Sequence, residues 1–322
     1  MGAVLTIEDT PSRSVTITGR LTNSGQVELP GSILTLQNGA DLTVGDLNLG
    51  DGKLVLEGSL TKTGGTFTTT EATLKLGDNI SITSNDGLIF QDLDLNNSAL
   101  TLGSATSELT VGNAVTLDDA SEGINIGSAD LILSGGMLLG SGNISTNGGK
   151  IILGNTSSIT AEGVLDVSNG SLVLNAGLNI SGSGTLKTSS GSTLTLNNNA
   201  LDFSGGQAAT GGVLETSGAL ALDGITCDEK CTIKLNADTT LTSDNPISIK
   251  TVDMGTHFLA LGSDTSDLTI ADAFNISYPG ENGLNTGLAD LTLNGPVSVS
   301  VGGIFSSGGT VNFGAGAGET AF

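Results

Sequence analysis

The stretch Gly31-Ser32-Ile33-Leu34-Thr35-Leu36 returns as Gly191-Ser192-Thr193-Leu194-Thr195-Leu196, and this recurrence decides the fold. Other segments share the same offset of about 160 residues. Val4-Leu5 falls on Val164-Leu165, Ala129-Asp130-Leu131 on Ala289-Asp290-Leu291, and Gly148-Gly149 on Gly308-Gly309. One residue out of step, Leu102-Gly103-Ser104 meets Leu261-Gly262-Ser263, and Thr106-Ser107-Glu108-Leu109-Thr110 meets Thr265-Ser266-Asp267-Leu268-Thr269. The slips occur in turn-like segments, where an inserted residue does least harm. The chain reads as two tandem units, residues 2–161 and 162–322, the second continuous with the first.

A shorter rhythm runs inside each unit. Apolar-x-apolar triplets occur at Leu34-Leu36, Leu54-Leu56, Leu74-Leu76, Leu93-Leu95, Val115-Leu117, Leu131-Leu133, Ile151-Leu153 and Leu172-Leu174, and Leu194-Leu196 opens the second unit. Strict alternation in short runs is the pattern of a strand with one buried face. Between the runs lie Asn38-Gly39, Gly50-Asp51-Gly52 and Asn147-Gly148-Gly149, residue types that tolerate positive φ and make turns. Intervals of roughly 20 residues suit coils of two or three strands, about eight per unit and 16 in all. No sustained 3.6-residue period appears, so essentially no helix is predicted. The alternative all-β architecture, an antiparallel sandwich, relies on aromatic core residues, and this chain has Trp 0, Tyr 1 and Phe 8. The reading is an all-β parallel β-solenoid, right-handed by the usual crossover preference, with leucine stacked on leucine in a continuous internal column.

Charge removes several classes of function. With 33 acidic against 10 basic residues, the net charge is -23, and Arg occurs only as Arg13 and Arg20. Such a surface repels phosphate backbones and anionic lipid, so no nucleic-acid partner is expected. No run of apolar residues is long enough for membrane insertion. Met1 to Thr6 shows neither a basic n-region nor an apolar h-region, so the expectation is either a Met added to an excised segment or an export signal upstream in a longer parent chain. Cofactors are expected to be none, beyond weak, non-specific Ca2+ binding by the acidic surface. The nonapeptide Ca2+ repeat and the EF-hand loop are both lacking.

Residues able to do chemistry are few. His257 is the single histidine, and its counterpart in the first unit is Ser98. The acidic pairs Asp92/Asp94 and Asp118/Asp119 could act on a glycan, but their counterparts are Thr251, Asp253, Ser277 and Tyr278, so neither pair repeats. Asn85-Asp86 reads as a turn. No catalytic, cofactor-binding or metal residues are expected, and the chain is read as no enzyme. Cys227 and Cys231 are spaced to close a small disulfide loop in an oxidising compartment, two free thiols being the alternative. Ice binding would need a threonine lattice. The outward column Thr35, Val55, Lys75, Asp94, Thr116, Ile132, Ile152, Val173 is mixed. Glycosylation sequons begin at Asn79, Asn96, Asn143, Asn155, Asn179 and Asn275.

The runs Gly-Ser-x-Leu-Thr-Leu, Asn38-Gly39-Ala40-Asp41-Leu42-Thr43-Val44 and Gly184-Thr185-Leu186-Lys187-Thr188 resemble, in style across the whole chain, large bacterial surface β-helices. These are autotransporter passengers, filamentous-haemagglutinin-like adhesins and giant repetitive surface or fibre proteins. The resemblance implies export, an extracellular or cell-surface location, and a structural role in an adhesin stalk or filament. It also implies host-cell, neighbouring-cell or matrix glycans as partners. The alternative function is a carbohydrate-binding or carbohydrate-cleaving β-helix. The tail Gly314 to Phe322 aligns with Gly154 to Glu162, inside the repeat, so the ends are expected to meet further copies of the same unit.

Overall fold

The computed structural model describes residues 4–6, 13–23, 25–42, 45–69, 71–103, 108–168, 170–188, 192–195, 197, 199, 201–202, 213–216, 220–222, 225–226, 229, 232–235, 237–262, 267–280 and 283–314. Every regular element among them is a short strand, and every strand pairing is parallel. Two compact units result: Met1–Ser157 with Leu165–Ala176 and Thr193–Thr195, and Ser158–Val164 with Gly177–Ser192 and Leu196–Phe322.

In the first unit each coil contributes one strand to each of three faces. The second face starts with Ser14–Ile17, Ile33–Leu36, Lys53–Leu56, Thr73–Leu76 and Asp92–Asp94, hydrogen-bonded in that order. Alternation drives this stacking. Leu34, Leu36, Leu54, Leu56, Leu74 and Leu76 point inward and are fully buried, while Thr35, Val55 and Lys75 point outward. Register sets Val15, Leu34, Leu54, Leu74 and Leu93 one above another. Each buried leucine contributes about 1.5–3 kcal/mol of transfer free energy. The third face carries Leu21–Thr22, Ala40–Leu42, Leu60–Lys62, Ile80–Ser84, Ala99–Leu102, Gly123–Asn125 and Asn143–Ser145.

The expected single leucine column is two columns on different faces. Leu131 stacks on Leu109 and under Ile151, followed by Leu172 and Leu194, all on the first face, which carries Leu88–Phe90, Glu108–Val111, Asp130–Leu133, Lys150–Leu153, Ser171–Leu174 and Thr193–Thr195. Val115 stays on the second face, under Met137. The sequence step from Val115 to Leu131 is therefore a move between faces and not a coil, so eight intervals overcount the coils in a repeat. Some coils are also longer than expected: Leu100 pairs with Ile124, and in the second unit Leu186 pairs with Leu214. The result is about 13 turns; in coil count and hand the structure differs in detail from the expected 16 right-handed coils, and the class is the one expected. The outward column divides in the same way, Thr35–Val55–Lys75–Asp94 on one face and Ile132–Ile152–Val173 on another.

The second unit is built on the same plan. Ile247, Leu268, Leu291 and Val311 form one inward column, with Ile249, Ile270, Leu293 and Phe313 beside it. Leu259, Leu284 and Ile304 form another. The repeat is reproduced down to single hydrogen bonds. Lys150 N donates to Asp130 Oδ1 at 3.1 Å, as Thr310 N does to Asp290 Oδ1 at 2.7 Å. A Cβ on Gly149 would sit 1.9 Å from the Ala129 carbonyl oxygen, and one on Gly309 would sit 2.0 Å from that of Ala289. Only glycine lets the chain cross the coil below at these corners.

Among the described residues, one interior position is a cation. Lys62 stands in the third-face column between Leu42 and Ser84, its side chain 3% exposed, and its Nζ reaches Asp86 Oδ2 at 2.5 Å. A buried ammonium without its partner is strongly unfavourable, whereas an apolar chain of similar length is tolerated. Asp86→Ala is expected to lower stability by about 1–3 kcal/mol, and Lys62→Met in that background to recover most of the loss. At the inward column, Leu74→Ala should cost about 2–5 kcal/mol, against about 1 kcal/mol or less for its outward neighbour in Lys75→Ala. Urea unfolding followed by circular dichroism checks both series.

Candidate functional site

Among the described residues, the surface of the second unit has a groove and a cleft. The first is a groove of about 240 Å3 lined by Thr251, Val252, Asp253, Met254, Gly255, Ala273, Asn275 and Ser277. It lies where Thr251–Asp253 ends one sheet and Phe274–Ser277 begins another. Side chains span the gap in place of a ladder: Thr251 Oγ1 donates to the Ala273 carbonyl and Ser277 Oγ to the Gly255 carbonyl, both at 2.8 Å. Fully buried Phe274 fills the coil beneath. The first unit has the same discontinuity between Asp92–Asp94 and Val115–Leu117. There Gln91 Nε2 bonds Asn113 Oδ1 at 2.7 Å, and Asn113 Nδ2 bonds Asp92 Oδ1 at 2.8 Å.

The candidate residues from the sequence do not converge. Asp94 is paired with Lys75 at 2.6 Å, while Asp92 is held by Asn113. His257 is half-buried beside the groove, where its backbone N closes a turn onto the Met254 carbonyl at 2.9 Å. Its neighbour Phe258 meets Tyr278 at 5.9 Å between ring centroids. Asn85 Nδ2 bonds the Thr63 carbonyl, and Asp86 serves Lys62. Asn79, Asn96, Asn143, Asn155 and Asn275 are exposed and Asn179 is half-buried. Cys227 and Cys231 lie outside the described residues. Among the described residues no group of three His, Cys, Asp or Glu side chains could hold a metal ion.

The pair Asp118/Asp119 is a turn built around a third acid. Glu122, nearly buried, accepts from the backbone N–H groups of Asp118 at 3.0 Å, Asp119 at 3.4 Å and Asn97 at 3.3 Å. Asp119 accepts from Ser121 Oγ at 2.6 Å and Ser121 N at 2.8 Å. Those bonds, the hydroxyl first, hold the Asp119 carboxyl below the usual carboxylate range. A general acid for glycoside cleavage requires the opposite shift. Asp46 is lowered in the same way by the backbone and side-chain bonds from Thr66.

The second opening is a cleft of about 540 Å3 lined by Val299, Ser300, Gly302, Gly303, Ile304, Val311 and Phe313. Val311–Phe313, Ile304–Phe305 and Val297–Val301 are each the last strand of their sheet. Their inward residues are open: Val299, Ile304 and Val311 are half-buried and Phe313 is 46% exposed. The repeat counterparts Leu139, Ile144, Ile151 and Leu153 are each 0% exposed. Sequence alone could not find this cleft, because all four residues carry the ordinary inward pattern. Their exposure is what separates them from their counterparts.

Ser121→Ala is expected to raise the Asp119 pKa toward the ordinary carboxylate value, read by carboxyl NMR titration. Because the folded-state pKa is depressed, the interaction stabilises the fold above the unfolded pKa. That stabilisation is lost as pH falls through the folded value. Compared with family models, curated proteins and solved structures, the chain matches none.

Proposed function

We propose that this chain is a non-catalytic structural segment of a secreted or cell-surface fibrous protein, an adhesin stalk or filament subunit joined end to end with further copies. The observation that carries this reading is the stack of parallel coils itself: inward columns such as Leu34–Leu54–Leu74 and Leu131–Ile151–Leu172 repeat along the chain, and the candidate acids Asp94 and Asp119 are tied to a lysine and to a turn instead of meeting in a site.

Two further features support the reading. Each coil is bonded to its neighbours along three faces, so bending or pulling must break several backbone bonds together. The net charge of -23 keeps such repeats from adhering sideways. The resemblance to bacterial surface β-helices supports a location outside the cell, with glycans of neighbouring cells or matrix as the proposed partners.

Antibodies against the chain, applied to intact cells of its source, are expected to label the exterior, with loss of the label after mild protease treatment. Label restricted to permeabilised cells would remove the surface assignment.

A further inference from the structure

We infer that the groove lined by Thr251 to Gly255 in the second unit is a binding subsite for one neutral pyranose ring of a glycan. Asp253 and Asn275 are its hydroxyl-binding groups, and Tyr278 with Phe258 is its stacking platform. The inference rests on the glycan-contacting surface proposed above and supplies the site. The repeat provides an internal comparison, because both units carry the same discontinuity between sheets and surround it differently. In the first unit the rim positions are Ser98, Ala99 and Asp119, and Asp119 is tied into its own turn by Ser121. In the second unit the same positions are His257, Phe258 and Tyr278. The chain has Trp 0, Tyr 1 and His 1, so its single tyrosine and single histidine both stand at this corner. Packing does not require them, since the first copy turns the corner without a ring.

Size, polarity and charge select the ligand. The groove holds about 240 Å3, below the roughly 300–1,000 Å3 of sites for larger ligands, so it suits one sugar ring. Val252 and Met254 line it from the buried side, while Asp253, Asn275 and Ser277 are exposed. Asp253 Oδ1 accepts from Gly255 N at 3.2 Å, which fixes the carboxylate at the rim. The Asn275 amide makes no side-chain hydrogen bond among the described residues. A carboxylate accepts from neighbouring hydroxyls and a carboxamide both donates and accepts, which matches the edge of a pyranose. Its apolar C–H face suits the half-buried rings of Tyr278 and Phe258, 5.9 Å apart. The rim is already held in place: Ser277 Oγ bonds the Gly255 carbonyl and Phe258 N bonds Asp238 Oδ1, both at 2.8 Å. Such preorganisation lowers the cost of binding. The nearby lysines are set against acids, Lys250 against Asp272 at 4.0 Å and Lys234 in register with Asp253. On a chain of net charge -23, an anionic sugar is repelled and a neutral one is not. Asp253 is the one carboxylate lining the groove, whereas glycoside cleavage uses a pair, so the site binds without cleaving.

The test uses the full 322-residue chain without a tag. With Trp 0 and Tyr 1, its intrinsic fluorescence reports Tyr278 alone, and its single histidine gives one set of imidazole proton resonances. The methyl glycosides of glucose, galactose, mannose and N-acetylglucosamine are titrated separately. At least one is expected to give a saturable change in tyrosine fluorescence in the millimolar range, with a shift of the His257 resonances. Asp253→Asn and Asn275→Ala should each weaken that binding about tenfold or more, with circular dichroism unchanged. Asp94→Asn, at the corresponding place in the first unit, should leave it as it is. No saturable response to any of the four glycosides would overturn the subsite. A response of undiminished affinity in both groove variants would overturn Asp253 and Asn275 as the binding groups. Equal or tighter binding of methyl glucuronide would overturn the neutral class. None of these outcomes bears on the surface location, which antibody labelling of intact cells decides separately.

Discussion

Parallel register is the constraint on which the rest of this structure depends. When strand lies on strand in register, an inward leucine can only meet the inward residue of the coil below. The columns Leu34–Leu54–Leu74 and Leu131–Ile151–Leu172 are the result. A slip of one residue would turn every one of these side chains outward. The same rule explains the glycine at Gly149 and Gly309, since a corner that must cross the coil below leaves no space for a Cβ. It explains the scarcity of rings as well: the coil interior is narrow, and Phe90 and Phe274 are the largest residues sealed within it.

Where the ladder is interrupted, side chains take over its work. At the discontinuity in the first unit, Gln91, Asn113 and Asp92 form a chain of hydrogen bonds across the gap. At the corresponding place in the second unit, the hydroxyls of Thr251 and Ser277 bond to opposing carbonyls. The chemistry has diverged while the backbone feature has been kept. The acidic residues follow a similar pattern: Asp94, Glu122 and Asp130 each bond a lysine or a backbone N–H of a neighbouring coil, and Asp119 bonds a hydroxyl within its own turn. Carboxylates tied to corners in this way are stacking and capping devices, and none of them is aimed at a common point.

The edges of a stacked sheet remain the chemically restless part of the fold. An unpaired edge strand with apolar residues beneath it attracts another strand, and soluble proteins normally blunt it. At Val311–Phe313 the described residues show no such blunting, and inward positions that are dry elsewhere meet solvent.

The amino-acid sequence by itself determined the class, the repeat and the absence of a legible catalytic motif. Alternation at Leu34-Thr35-Leu36 and its relatives encodes a half-buried strand wherever it occurs, and Asn-Gly and Gly-Gly corners encode the turns. Which face a triplet occupies was decided only by the tertiary structure. Leu131 and Val115 carry the same local pattern, and only the lengths of the intervening corners put them on different faces. The coil count failed for that reason. Lys62 and the open cleft were equally hidden, because burial depends on what lies above and below a residue, and neither neighbour is adjacent in the chain.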